Sequence, residues 1–313
     1  MSAYRTHWSS RPTVELTLVA PVPNPHASVV VVGSANVDLV ATTPRLPLPG
    51  ETLIGTDFHE YPGGKGLNQA VAAARAGART AFICAVGDDD AGRLLHSIAS
   101  DEGLDLAGVL IAPNEPTGRA LILVDDLGEN SIIVVPGSNA ACPPATNIGP
   151  SDVVLAQLEV PISAVADSFI AAREAGAMTI LNPAPAGELS AELLSLCDIV
   201  IPNEHEIELL GGVLRLQEAG VKTVIVTRGA AGIDIYHKGR SQRLPSFHVT
   251  PVDTTGAGDA FCGSLAASLT AGNELNDACL RALAGGALAT TTHGAVPSLP
   301  FQDEIESLIA SSS

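Results

Sequence analysis

Along this chain, short runs that are apolar at every position alternate with longer stretches in which apolar residues recur every three or four positions. Val29 to Val32 is a run of four β-branched residues that stops at Gly33-Ser34. A strand that is apolar at both parities must be covered on both faces, which is the condition of a central parallel strand. Comparable runs recur at Thr80 to Val86, Val153 to Leu155, Thr179 to Leu181, Ile199 to Ile201 and Thr223 to Thr227. Between several of them lie helical patterns, Leu67 to Ala76, Arg93 to Asp101 and Ile162 to Ala175, followed by Gly77, Gly103 and Gly176. Glycine just past the last periodic residue is the usual helix stop. The alternation predicts an α/β fold: a doubly wound, mostly parallel sheet with helices on both faces.

Two stretches break this rhythm. One is Glu51 to Tyr61; the other is Arg119 to Val135, where two apolar runs flank the turn Asp125-Asp-Leu-Gly-Glu-Asn. A hairpin inserted in an α/β chain predicts a small β-sheet lid, with its strands at about 38–61 and 117–136. The main domain then occupies 29–313, without internal repeats, behind a flexible leader at 1–28.

Composition narrows the class. The 313 residues are 46% hydrophobic and 16% charged, enough to build a sizeable core and too apolar for a disordered chain. Sixteen Lys and Arg against 34 Asp and Glu leave a net charge of −18. A chain so acidic lacks the electrostatic footprint for a phosphate backbone, so nucleic acid is not an expected partner. Where positive charge does stand beside a Gly-rich segment, as at Lys65, it points to an anion or a polyol. Five scattered cysteines without a C-x-x-C pair read as buried free thiols of a reducing compartment. No apolar run reaches bilayer length, and the leader, with Pro21, Pro23 and Pro25, lacks the apolar core of a secretory signal. Neither a membrane partner nor export is expected, and the location implied is cytoplasmic.

Four segments carry candidate chemistry. In Val252 to Gly263, the small residues Gly256, Ala257 and Gly258 let backbone N–H groups converge just before an apolar helix, forming an anion hole. Asp259 follows at the first turn, where a carboxylate can accept the proton of a hydroxyl attacking phosphorus. Taken alone, the segment also fits an ordinary Gly-rich helix start with an acid complementing the dipole. The second segment, Gly63-Gly-Lys-Gly-Leu-Asn-Gln69, is not a Walker A loop, because His59 stands where that motif needs glycine and no Ser or Thr follows Lys65. Its cation and two amides suit polyol hydroxyls, a solvated turn being the other reading.

The third segment, Gly33 to Asp38, follows the first strand, where α/β sheets open their ligand crevice. Asn36 and Asp38, two residues apart in an extended chain, point the same way. In the fourth, Pro202 to Glu206, Asn203 and Glu206 share a face of a starting helix, a spacing suited to hydrated magnesium beside phosphates and equally to a plain acidic helix start.

Together these residues resemble the ribokinases of the PfkB carbohydrate kinase family, over nearly everything from Val29 to Pro300. The N-terminal signature stands as Pro62-Gly-Gly-Lys-Gly-Leu-Asn-Gln-Ala70 and the C-terminal one as Asp253-Thr-Thr-Gly-Ala-Gly-Asp-Ala-Phe261, about 190 residues apart and in the right order. Ala156-Gln-Leu-Glu-Val-Pro161 and Asn182-Pro-Ala-Pro-Ala186 are nearer to ribokinases than to fructokinase or adenosine kinase relatives. The resemblance implies a ribokinase-like fold and transfer of the ATP γ-phosphoryl group to O5 of D-ribose. It implies ribose hydroxyls on Asn36, Asp38, Gly64, Lys65, Asn68 and Glu159, and Asp259 as the base. Asn203 and Glu206 fall near magnesium and the phosphates, with Glu206 acting indirectly. Thr227 and Gly229 line the nucleotide, and the backbone of Gly256, Ala257 and Gly258 forms the anion hole. Potassium is implied at Asp253, Thr255, Gly294 and Ser298, largely through carbonyl oxygens, and a homodimer through the lid strands.

The chain departs from the family in a shortened 211–221 segment and in Leu283 and His293, which stand where many relatives carry an Asn and a basic residue near the adenine. Two alternatives remain open: a family kinase for another sugar or nucleoside, and a non-catalytic sugar-binding regulator. The second would tolerate loss of Asp259, which is retained here.

Overall fold

The computed structural model describes residues 28–312; the expected leader, but for Ser28, lies outside them. Strand β1 (Val29–Val32) is fully buried, with Val29 and Val31 in one hydrophobic core and Val30 and Val32 in another. That division is what a run apolar at both parities requires. On one flank of β1 lie β4 (Thr80–Gly87) and β5 (Val109–Ala112), and on the other β8 (Val153–Ala156), β9 (Met178–Leu181), β10 (Ile199–Val200) and β11 (Thr223–Thr227), all parallel. The antiparallel strands β12 (Ile233–His237) and β13 (Arg240–Leu244) close that end, giving the order β13-β12-β11-β10-β9-β8-β1-β4-β5.

The first core holds side chains of α1 (Lys65–Arg75), α2 (Asp90–Asp101), α7 (Ala257–Thr270), α8 (Leu275–Ala289) and α9 (Ala295–Ser298), and α10 (Gln302–Ser311) packs on α8. The second core holds those of α3 (Ile162–Ala175), α4 (Ala191–Ser195), α5 (Glu204–Leu209) and α6 (Gly212–Glu218). The doubly wound expectation therefore holds, and the three expected stops, Gly77, Gly103 and Gly176, all have positive φ.

The chain leaves β1 toward β4 and β5 and later returns to β8 on the opposite flank. At such a reversal the loops leaving the carboxyl ends of the two strands diverge and open a crevice. Gly33-Ser34 after β1 and Gln157 to Glu159 after β8 stand at that crevice. Helix α1 starts hard against it: a Cβ on Gly66 would come within 2.4 Å of the Ser34 nitrogen, so only glycine lets the helix start approach β1 this closely.

The second sheet is built from β2 (Asn36–Thr43), β3 (Asp57–Gly63), β6 (Gly118–Asp125) and β7 (Asn130–Val135), in the order β3-β2-β6-β7. These are the strands expected as a lid. Its root lies two residues deeper than the sequence pattern indicates, because Asn36 pairs with both Gly63 and Gly118. The small sheet thus grows out of the crevice itself. All five cysteines are free and buried, as expected, and burial pushes the Cys142 thiol up to about 12. Among the described residues no helix is long and apolar enough to cross a membrane.

Candidate active site

Helices α1 and α7 pack so closely that a Cβ on Gly263 would come within 2.5 Å of the Ala72 Cβ. This contact brings the first turn of α7 against the N-terminal signature at the start of α1. Asp259 is buried there, and α1 holds both of its oxygens: Asn68 Nδ2 donates to Oδ2 at 2.9 Å and Gln69 Nε2 to Oδ1 at 2.8 Å. Helix α1 has no side-chain cap of its own. A carboxylate from the loop after β8 supplies one instead, since Glu159 Oε2 accepts the Lys65 N–H at 3.1 Å together with the Ser34 hydroxyl.

One ammonium stands among several acids. Attraction from Asp259 above all, then from Glu159 and Glu206, raises the Lys65 pKa against the opposing effect of burial, so the group stays charged. Asp38 behaves differently: burial, reinforced by Glu159 and Asp259, pushes its carboxyl up to about 7 although Lys65 pulls the other way. For Glu206, burial outweighs the Asn203 amide and Lys65, and its pKa also rises.

The lid's root is fixed by another amide. Asn139 Nδ2 donates to Asn36 Oδ1 at 2.7 Å, while Asn139 Oδ1 accepts the Ala35 N–H at 2.9 Å. The Asn68 Oδ1 is buried without a partner. An orphaned acceptor in this position awaits a hydroxyl donor. Asn36, Asp38, Gly64, Lys65, Asn68, Glu159 and Asp259 therefore meet at one place, the mouth of the β1 and β8 crevice.

Beside it a cavity of about 340 Å³ runs along the start of α7, lined by Thr227, Gly229, Ala257, Gly258, Phe261 and Leu283 among others. A Cβ on Gly258 would meet nothing within 4 Å, so the chain here faces open space. Gly256 has φ +78° and lies so close to α9 that a Cβ would sit 3.1 Å from the Ala295 Cα. Asp253 ties the two loops behind this turn, its Oδ1 accepting the Thr255 N–H and its Oδ2 the Gly294 N–H, both at 2.9 Å. Burial works against that charge, but the amide donors outweigh it and hold the Asp253 pKa below its ordinary value. The Ser298 hydroxyl donates to the Ala295 carbonyl at 2.8 Å.

Some expected residues stand elsewhere. Asn203 does not line the cavity; its Oδ1 accepts the Glu206 N–H and Glu206 Oε2 accepts the Asn203 N–H, each at 2.8 Å, a reciprocal cap for α5. Glu206 nevertheless faces Lys65 electrostatically. Leu283 is in the cavity wall, whereas His293 is exposed, with Nδ1 3.9 Å from Asp253 Oδ2. No residue of 211–221 lines the cavity. Sequence reasoning assigned no role to Ser34, Asn139, Gln157 or Asn182, and it read Gln69 as one of two amides suited to polyol hydroxyls, whereas the Gln69 NH₂ is taken up by Asp259 and Asn182. The available signal was Gln157, a long polar side chain directly after a strand that is apolar on both faces.

Residues 26–302 match the pattern of the pfkB family carbohydrate kinases. The chain belongs to that family. It is 39% identical to a ribokinase of Haemophilus influenzae over 292 residues, covering 88% of this chain and 95% of the relative. Its fold superposes on a Thermotoga maritima ribokinase with a TM-score of 0.81 at 33% identity, covering 91% of this chain and 99% of that one. It also superposes on an Arabidopsis thaliana ribokinase complexed with ribose and ATP, with a TM-score of 0.83 at 31% identity, covering 90% and 98%. As a pfkB-family member, the chain carries both signature segments on the two helices that meet at Asp259.

Proposed function

We propose that this pfkB-family kinase transfers the γ-phosphoryl group of ATP to O5 of D-ribose. The observation that carries the reading is Asp259, held by two amides at the start of α7 between a cluster of hydroxyl-binding groups and an open cavity. The plant ribokinase complexed with ribose and ATP, and the identity to ribokinases over nearly the whole chain, support the sugar and the nucleotide.

Asn36, Asp38, Gly64, Lys65, Asn68 and Glu159 bind the sugar hydroxyls and orient O5 toward Asp259, converting an encounter into an in-line arrangement. Asp259 takes the proton of O5 as the bond from O5 to phosphorus forms and the bond from phosphorus to the bridging oxygen of ADP breaks. The backbone of Gly256, Ala257 and Gly258 supplies the N–H groups that stabilise the charge spreading over the oxygens of the transferring group, the Ala257 N–H leaving the Thr254 carbonyl to which it donates at 3.3 Å here. Thr227 and Gly229 bound the nucleotide.

The oxygen donors of Glu206, reached through water, suit hydrated magnesium, with Asn203 fixing the Glu206 carboxylate; when bound, the ion neutralises charge on the phosphates. Asp253, with Thr255 and Gly294 drawn to its carboxylate, and Ser298 suit potassium, which would add positive potential behind Gly256. Five unpaired thiols fit a cytoplasmic setting.

A coupled assay of ADP production with ribose, deoxyribose, fructose and adenosine tests the reading. Ribose should give the highest kcat/KM. A preference for adenosine or fructose would move the chain to another branch of the family, and no ADP from any of the four would leave a sugar-binding regulator.

A further inference from the structure

Behind Asp259 runs a chain of side-chain amides, Gln69 and Gln157 buried and Asn182 half-buried, none of which is an expected sugar residue or lines the cavity. Gln69 Nε2 donates both to Asp259 Oδ1 at 2.8 Å and to Asn182 Oδ1 at 3.0 Å. Gln157 Nε2 donates to Gln69 Oε1 at 2.6 Å, and Asn182 Nδ2 donates to the Ile201 carbonyl at 3.0 Å. Gln69 and Gln157 are wholly inaccessible to solvent.

The two ends of a side-chain amide have nearly the same shape, so a buried amide points one way only if its partners dictate it. Here they do. An ionised Asp259 can only accept, so Gln69 must present its NH₂ to it. The second hydrogen of that NH₂ meets Asn182 Oδ1, which is held in this sense because the Asn182 NH₂ faces a backbone carbonyl. Gln69 Oε1 is then turned to Gln157, which must present its own NH₂. The consequence appears at the far end: Gln157 Oε1 is buried with no partner. It sits so close to Gly33 that a Cβ there would be 2.1 Å away. Within the chain of Gln69, Gln157 and Asn182, the unsatisfied acceptor therefore lies on Gln157 and not on Gln69, which holds Asp259, as expected if orientation at the carboxylate takes precedence over full pairing.

We propose that Gln69 is a positioning residue for phosphoryl transfer, locked by Gln157 and Asn182, which fixes the Asp259 carboxylate through Oδ1 and leaves Oδ2, on the Asn68 side, to receive the hydroxyl proton. The proposal rests on Asp259 acting as the base.

Gln69→Leu and Gln157→Leu, singly and together, test it through kcat, KM for ribose and calorimetric ribose affinity. Gln69→Leu should lower kcat about 10- to 100-fold with KM and affinity within about threefold, because a misdirected base slows transfer without loosening the sugar. Gln157→Leu should lower kcat by a smaller factor, and the double variant should be no slower than Gln69→Leu, since the two act through one chain. An unchanged kcat in Gln69→Leu, a parallel loss of ribose affinity, or additive losses in the double variant would overturn the proposal. Should Gln69→Leu fail to fold, Gln157→Leu and Asn182→Leu carry the same separation of kcat from KM. Asp259→Asn, measured alongside, separates the two readings: if it retains turnover, the base assignment fails, whereas an inactive Asp259→Asn beside a normal Gln69→Leu removes the relay alone.

Discussion

An acid in the first turn of a helix is ordinarily a partner of the helix dipole. Asp259 differs because Asn68 and Gln69 occupy its two oxygens from another helix, which sets its plane as well as its charge. Asp259→Asn should keep ribose and ATP binding and lower turnover by at least about 100-fold, the usual loss for a general base, as the same coupled assay would read. Lys65→Ala and Asn68→Ala should each weaken ribose binding by about 1–3 kcal/mol, since each leaves buried partners unpaired, and calorimetry checks this. Glu159→Ala should do the same and also lower the melting temperature, because Glu159 caps α1 and holds Ser34. Asp38 gives a pH dependence. Its carboxyl lies near 7 in the folded chain against 3.8 in the unfolded one, so the native state keeps a proton that the unfolded state has lost. Its contribution to stability is therefore full below about pH 4 and is lost as pH rises through about 7. Asp38→Asn, which stays neutral, should raise the melting temperature of the unliganded chain at pH 8 relative to wild type, and much less at pH 5. A carboxylate that accepts sugar hydroxyls must be ionised. Ribose affinity should accordingly strengthen from about pH 6 to 8 in the wild type, a slope that Asp38→Asn removes.

At the scale of elements, the parallel strands other than β5 were legible because burial on both faces leaves no polar parity, whereas β5, at the sheet edge, is partly exposed and was missed; the helix stops were legible through their glycines. The edge hairpin β12 and β13 was not, since β13, Arg240 to Leu244, is largely exposed and carries Arg, Ser and Gln where a strand pattern would need apolar alternation. Helix α8 also escaped, its Ala- and Gly-rich sequence offering little contrast between faces. The site was legible as far as its signatures reach, and the amides behind Asp259 were not, because their role depends on a pairing between α1, β8 and β9 that no local pattern records. Two loops shape the proposed anion hole. Gly256 combines positive φ with close contact to Ala295, so Gly256→Ala should displace the amides and lower kcat while leaving ribose affinity near wild type. A cation held by Asp253, Thr255, Gly294 and Ser298 would stiffen the same turn from behind, off the path of the sugar. Potassium should then raise kcat more than it lowers KM for ribose, and sodium should substitute poorly. Equal rates in potassium, sodium and a bulky organic cation at matched ionic strength would rule out a cation there.

For the whole molecule, the small sheet poses a problem that the other described residues do not solve. Every residue of β7 is exposed, including Ile132, Ile133, Val134 and Val135, and Leu121 on β6 is exposed beside it. Strand β7 is also the last strand of its sheet, so its outer edge carries backbone groups unpaired within that sheet. A net charge of −18 disfavours indiscriminate association but does not hide this apolar surface, which the described residues leave uncovered. A homodimer through the lid strands answers both demands at once, since a second copy offers the same apolar strand with the same open edge, and a twofold arrangement closes on itself. The sheet's root bears Asn36 and Asp38, so an interface that holds the lid in place also holds two of the proposed sugar ligands. Sedimentation at assay concentration should show a dimer for the wild type. Ile133→Lys with Val135→Lys, two residues on one face of β7, should give a monomer whose KM for ribose rises several-fold while its melting temperature falls little, because neither side chain belongs to the core. A wild type that sediments as a monomer and still binds ribose tightly would show that the lid needs no partner, and the exposed face of β7 would then require another explanation.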